Sequence, residues 1–203
     1  SISHNLLYSP AKALYTGSAL WIADRDNGLL GKTNQGISAI VPNSPDAIGT
    51  GDIIANGQDW WMVSGDALNH FSEGNWTILS ANNQTLPVGF TQGGPLIIDK
   101  SGDLWAGSDG GGLLKKTGEQ FSLLREGLLT PAFDDPQAYR ASGLAVDDVN
   151  NLWISNSGAR SGLVVRNPDG ISKAFTIPFI YSGYAVAQII IDDINQKWIV
   201  SPN

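Results

Sequence analysis

Short runs of apolar residues, each closed by a cluster of Gly, Asn, Asp or Ser, follow one another along the chain. Between residues 94 and 125 the order is "PLIID", the turn "KSGD", "LWAGS", then "GGGLLKK" and "EQFSLLR". The stretch from 143 to 178 repeats it as "GLAVD", "DVNN", "LWISN", "GLVVRN", "DG" and "SKAFTIP". Runs of this kind, bounded by turn formers, read as strands joined by hairpins. No window of a dozen residues carries a helical period. The best helical candidate, "EQFSLLREGLL", is equally well explained as a fourth strand.

The pattern is a repeat. "ALWIAD", "DWWMVS", "DLWAGS", "NLWISN" and "QKWIVS" align on Trp21, Trp61, Trp105, Trp153 and Trp198, which lie 40, 44, 48 and 45 residues apart. Three places after each Trp stands a small or polar residue: Asp24, Ser64, Ser108, Asn156 and Ser201. Asp99, Asp147 and Asp192 lie six residues before their Trp, whereas the first two copies have Tyr15 and Ala55 there. A period of about 40 to 50 residues with four strands per unit is the signature of a β-propeller blade. The expectation is therefore an all-β propeller with blades over 11–44, 51–82, 93–125 and 141–178 and an incomplete blade over 186–203. Residues 1–9 read as the end of a preceding blade. Four full blades and part of a fifth imply a piece of a larger ring, of seven blades for example, because an open ring would leave strand edges unpaired.

Composition narrows the function classes. A chain of 203 residues with 42% apolar residues, 24 glycines and 7 tryptophans is too apolar for disorder and long enough for one large domain. The net charge of −7 disfavours contact with nucleic acid or anionic lipid, and Lys115-Lys116 is the only adjacent basic pair. Without cysteine there are no disulfides, thiolate metal sites or cysteine nucleophile. No run reaches the roughly 18 apolar residues of a membrane span. The start, "SISHNLLYSP", lacks the basic and apolar regions of a signal peptide.

The glycines of "GSDGGG" suggest a phosphate cradle, but no Lys-Ser/Thr ending follows and the next element is a strand. They read as turn glycines, and Trp105 reads as a packing residue between neighbouring sheets. Trp60 is adjacent to Trp61 and points to the opposite face. With Trp76 it stands outside the repeat frame, so these two are the candidate exposed aromatics. The chain's two histidines, His4 and His70, read as strand-edge or turn residues. "DRDNG", "DKSGD" and "DDVNN" each miss the spacing of a calcium loop and suit turns instead. Asp134-Asp135 lies with Arg140 in the longest connection, where function can reside. Arg25, Arg140 and Arg160, in or near turns, are the candidate contacts for an anionic glycan. The sequons at Asn75 and Asn83 read as chance matches. No catalytic residue, metal site or cofactor is expected.

"DKSGDLWAGSDGGGLLKK" and "DDVNNLWISNS" resemble two-component-regulator propeller repeats, which occur in periplasmic sensor regions of hybrid histidine kinases and in other Bacteroidetes surface proteins. The succession of unequal blades, from "ALWIADRDNGLLGKTNQGISAIVPNSP" through "DWWMVSGDALNHF" to "IIIDDINQKWIVSPN", resembles the propeller of PorZ-type proteins of the type IX secretion system. That resemblance implies a non-catalytic cell-surface or periplasmic module. Its partners would be a sortase, outer-membrane anchors, anionic lipopolysaccharide and the remaining blades of the same polypeptide. It transfers no functional residue, because the matching positions are blade-core positions. Two other readings stand beside it. One is the periplasmic oligosaccharide-sensing domain of a hybrid histidine kinase. The other is a propeller lyase or hydrolase, which requires histidines or carboxylates converging on the central channel.

Overall fold

The computed structural model describes residues 5–40, 43–45, 50–177 and 188–200. His4, Val186 and Ser201 lie outside them. The described residues form 18 strands and no helix.

The chain divides into two compact units, residues 1–44 and 45–203. The first is one antiparallel sheet, β1 (Pro10–Tyr15), β2 (Leu20–Asp24), β3 (Gly28–Thr33) and β4 (Gly36–Ile40), paired in chain order. The second unit opens with a like sheet of β5 (Thr50–Asn56), β6 (Asp59–Ser64), β7 (Ala67–Ser72) and β8 (Asn75–Ser80). It continues with β9 (Gly93–Ile98), β10 (Leu104–Gly110), β11 (Leu113–Thr117) and β12 (Gln120–Leu124). Next come β13 (Tyr139–Val146), β14 (Leu152–Asn156), β15 (Leu163–Arg166) and β16 (Ser172–Phe175). A pair, β17 (Gln188–Ile191) and β18 (Lys197–Val200), completes it. The architecture is that of four-stranded propeller blades followed by part of another.

In the second unit the core lies between sheets, and strand alternation explains how. Successive side chains of β10 point to opposite faces. Leu104 and Ala106 pack with Trp61, Val63 and Leu68 of the preceding sheet, and Trp105 packs with Leu144, Leu152 and Ile154 of the following one. Leu113 and Leu114 divide in the same way. A third cluster joins Ala145 and Leu163 to Ile189 of β17. At its end β10 runs past its own sheet and pairs with β13, Asp109 opposite Arg140 and Gly110 opposite Tyr139. Close approach at this seam requires glycine: a Cβ on Gly107 would lie 2.1 Å from the Ala141 carbonyl oxygen.

Candidate functional site

The aspartates six residues before Trp105, Trp153 and Trp198 share one geometry. Asp99, Asp147 and Asp192 each close the turn between the first and second strands of their sheet. One carboxylate oxygen accepts the backbone N–H two and four residues on: Ser101 and Asp103, Val149 and Asn151, Ile194 and Gln196. The other accepts the indole Nε1–H, at 2.8, 2.9 and 2.8 Å. The fourth residue of each turn has a positive φ, 86° at Gly102, 65° at Asn150 and 63° at Asn195. Gly and Asn are the residues that tolerate this conformation. The carboxylates of "DKSGD" and "DDVNN" therefore point into their own turns. For Asp147, burial works against the charge, but the bonds from Trp153 and Asn151 and the nearby Lys197 ammonium prevail and hold the carboxyl below its ordinary range. Asp192 is lowered too, first by Trp198.

These turns also join neighbouring sheets. Lys100 donates from its backbone N–H to Asn150 Oδ1 at 2.8 Å and from Nζ to the Asp148 carbonyl at 2.8 Å. Asn195 donates to Asp148. Lys197 Nζ stands 5.3 Å from the Trp153 ring centroid and 3.8 Å from Asp147. In "DRDNG", Asp24 plays a related part at the other end of its sheet. Burial opposes its charge, and the backbone N–H groups of Ser9, Asn27, Asp26 and Tyr8 hold its pKa low.

The glycine run is a packing device. A Cβ on Gly111 would lie 2.3 Å from the Gly89 carbonyl oxygen, and one on Gly112 2.5 Å from that of Leu124. The Arg125 guanidinium bridges this turn to the 81–92 connection, donating to Gly111 O at 2.7 Å and Gly89 O at 2.8 Å. Trp105 is 3% exposed and Trp61 7%, as packing residues between sheets should be. Trp198 departs from them at 57% exposed.

The residues singled out in the sequence separate into different settings. Trp60 is 46% exposed and heads a cross-strand aromatic row in which Phe71 lies opposite both Trp60 and Trp76. Phe71 is 6.2 Å from Trp60 and 5.2 Å from the half-buried Trp76. By register Trp60 stands where Leu104 and Leu152 stand in later sheets, so it belongs to the repeat frame after all. His70 stacks on Trp61 at 3.8 Å, with Nε2 3.5 Å from Asp59.

Arg140 is spent on structure. Its guanidinium donates to both Asp134 oxygens at 2.8 and 3.0 Å, and Nε lies 3.2 Å from Asp109. The hydrogen bonds from Arg140 hold Asp134 below the ordinary carboxylate range. Thus the "AFDDPQAYR" connection is tied to the end of β10, and Asp109, which the sequence did not single out, is part of the tie. Arg160 is exposed in the β14–β15 connection, and Arg25 is exposed in the β2–β3 turn of the first unit. Neither guanidinium has a hydrogen-bond or ion-pair partner among the described residues. Within the second unit the structure thus brings Arg140 to Asp134 and Asp109 and not to Arg160.

A cavity of about 550 Å³ opens beside the first strands of the second unit, lined among others by Asp52, Gly94, Ser142, Gly143 and Gln188. Among the described residues Asp52 is its one ionisable lining residue, and its oxygens accept the N–H groups of Ile53 at 2.8 Å and Leu96 at 3.0 Å. Among the described residues no group of three or more His, Asp or Glu side chains is placed to hold a metal ion.

No protein-family model matches the sequence, and no curated protein matches it. Solved structures do match the fold. A domain of Bacteroides thetaiotaomicron, described as the extracellular part of a one-component system, aligns with a TM-score of 0.61 at 16% identity. It covers 96% of this chain and 25% of its own. Virginiamycin B lyase of Staphylococcus aureus aligns at 0.58 and 16%, covering 95% of this chain and 63% of its own. PorZ, a surface component of the type IX secretion system of Porphyromonas gingivalis, aligns at 0.51 and 16%, covering 95% of this chain and 31% of its own. The chain spans less than two thirds of each of these proteins. The extracellular domain of the one-component system and PorZ are thus similar to it in fold, as the repeat motifs led one to expect, and the fold is that of a β-propeller.

Proposed function

We propose that this chain is a non-catalytic, extracytoplasmic propeller module that acts by protein–protein assembly in type IX secretion. Anionic lipopolysaccharide is a second ligand, reached through Arg25 and Arg160. One observation supports the non-catalytic part: among the described residues, the ionisable side chains of the cavity, the longest connection and the repeat turns are engaged in holding the fold. Asp52, Asp134, Asp147 and Arg140 are bonded to turns, strands and one another, and His70 stacks on Trp61. A general acid or base has to reach a substrate proton instead. The fold shared with PorZ and with extracellular domains supports an extracytoplasmic setting, as an analogy of fold.

The test is isolation of the tagged protein from cell envelopes in mild detergent. Co-isolation of a sortase and outer-membrane anchors is the expected result. Recovery of the chain joined to a membrane helix and a histidine kinase would overturn it in favour of an oligosaccharide sensor, a reading that the cavity beside the first strands favours. Arg25→Glu combined with Arg160→Glu should abolish retention of lipopolysaccharide; normal retention would remove the glycan part of the proposal.

A further inference from the structure

Successive sheets of the second unit meet in seams, and in two of these a lysine of the following sheet stands over the Trp of the preceding one. Lys116 Nζ lies 5.3 Å from the Trp61 ring centroid, and Lys197 Nζ lies 5.3 Å from that of Trp153. The seam between the β9–β12 and β13–β16 sheets is built differently. By register Arg166 holds the place of Lys116, since the two pair with Leu152 and Leu104, the residues before Trp153 and Trp105. Arg166 Nη1 instead donates to the Gly170 carbonyl oxygen at 2.6 Å. Beside Trp105 lies a partly enclosed pocket of about 70 Å³. Asp99, Asp103, Trp105 and Lys115 line it from one sheet, and Leu152 and Arg166 from the next.

The charges around this pocket do not all balance. Asp99 accepts the N–H groups of Ser101, Asp103 and the Trp105 indole. Lys115 Nζ is 2.7 Å from Asp103 and 4.9 Å from the Trp105 ring centroid. Arg166 is the exception. Its half-buried guanidinium meets only neutral oxygens, the Gly170 carbonyl and, at 3.5 Å, Ser172 Oγ. Among the described residues no carboxylate pairs with it, and Nε and Nη2 have no acceptor. A cation drawn out of water without a counter-charge is costly, so the site favours an anion. A water's share of liquid is about 30 Å³, so the pocket admits a group of about two waters' size. A carboxylate has that size, and its two oxygens match the planar fork of a guanidinium. A phosphate dianion would bring a second negative charge toward Asp99 and Asp103.

We propose that this seam is a binding site for a small organic monocarboxylate. Arg166 donates from Nε and Nη2 to its two oxygens, and Lys115 supplies a second positive charge. Nη1 keeps its bond to Gly170, so the sheet is undisturbed. The site lies between two complete sheets and is independent of the assembly reading.

The test titrates the isotope-labelled 203-residue chain with acetate, which replaces chloride at constant ionic strength and pH 7. Two-dimensional NMR follows the indole Nε1–H of Trp105 and the Nε–H of Arg166. Saturable shifts of both are expected, with the indoles of Trp61 and Trp153, whose seams hold a lysine, unmoved. For a ligand of about four non-hydrogen atoms the Kd should be on the order of millimolar. Acetamide, the neutral isostere, should shift neither signal. Arg166→Gln should weaken acetate binding roughly tenfold or more, through the loss of hydrogen bonds to a charged group. Arg166→Lys keeps the charge without the fork and should fall between Gln and the parent. A Trp105 indole signal at its parent position shows that a variant is folded. Shifts that do not saturate, equal shifts with acetamide, or a folded Arg166→Gln or Arg166→Lys with parental affinity would overturn the proposal.

Discussion

Asp147→Asn tests the aspartate–tryptophan pin with little change of shape. Asp147 is 3% exposed and accepts four hydrogen bonds. Its partners are the backbone N–H groups of Val149 and Asn151 at 3.2 and 2.7 Å, Asn151 Nδ2 at 3.0 Å and Trp153 Nε1 at 2.9 Å. With Asn, the remaining oxygen can keep the two backbone donors. The new NH₂ then faces the indole N–H and the Asn151 amide, donor against donor. A hydrogen bond to a charged group contributes roughly 1.5–3 kcal/mol, and a buried donor without an acceptor costs about 1–3 kcal/mol. Asn151 is only half-buried and can turn to water, so a loss of about 2–4 kcal/mol at pH 7 is expected. That is a drop of roughly 5–15 °C in midpoint for a chain of this size. The folded-state pKa is depressed, so the carboxylate's contribution is present above the unfolded value near ~4 and is lost as pH falls through the folded value. Denaturant unfolding of both proteins, followed by tryptophan fluorescence across that range, should show a gap that is widest at neutral pH and closes in acid. A gap below about 0.5 kcal/mol at pH 7, within the usual scatter of surface substitutions, would refute the pin. A gap independent of pH would refute its electrostatic part.

Gly107→Ala should destabilise by about 3 kcal/mol or prevent folding, because the added methyl meets backbone that cannot give way. Gly102→Ala, in open space but at a φ of 86°, should lose only about 1–2 kcal/mol; equal midpoints for the two would contradict the seam described for β10 and β13. Trp105→Ala should lose about 3–5 kcal/mol and Trp198→Ala clearly less, and the reverse order in thermal melts would contradict their burial. Arg140→Lys loses the two-pronged hold on Asp134, so limited proteolysis should cut the 125–138 connection faster than in the parent. Amide exchange should be slowest in β10 and β11, packed on both faces, and fastest in β18; uniform protection would argue against sheet-by-sheet stability.

The repeat was legible because it is local. Strand, turn and the Asp-to-Trp spacing of six all lie within one hairpin, so Asp99, Asp147 and Asp192 could be aligned by eye. Their bond to the indole was implicit in that spacing, and the turn residues Gly102, Asn150 and Asn195 were a second signal for it. Arg140 was not legible in the same way. Asp134 is near in sequence, but Asp109 reaches Arg140 only because β10 overruns its sheet to pair with β13. Trp60 misled for the opposite reason, since adjacency to Trp61 hid the fact that it shares a register position with Leu104 and Leu152. Side chains that act across the seam between sheets leave no mark in a single repeat.

The basic residues bear on which ligand the module suits. The chain has 12 Lys and Arg side chains. Lys100, Lys116, Arg125 and Arg166 donate to backbone carbonyls, and Lys115, Arg140 and Lys197 face carboxylates. Cations used in this way have exchanged water for fixed protein acceptors, and turning them to a polyanion would break those contacts, of which the ones made by Lys100, Arg125, Arg140 and Lys197 link one sheet to a neighbouring sheet or connection. In the second unit that leaves Arg160 and Lys173, and Lys173 Nζ lies 5.0 Å from the Phe175 ring centroid. So sparse a set gives little of the clustered positive charge on which polyanion binding depends. Of the two halves of the proposed function, lipopolysaccharide contact is therefore the one that the chain's own cations support least, confined to Arg25 and Arg160.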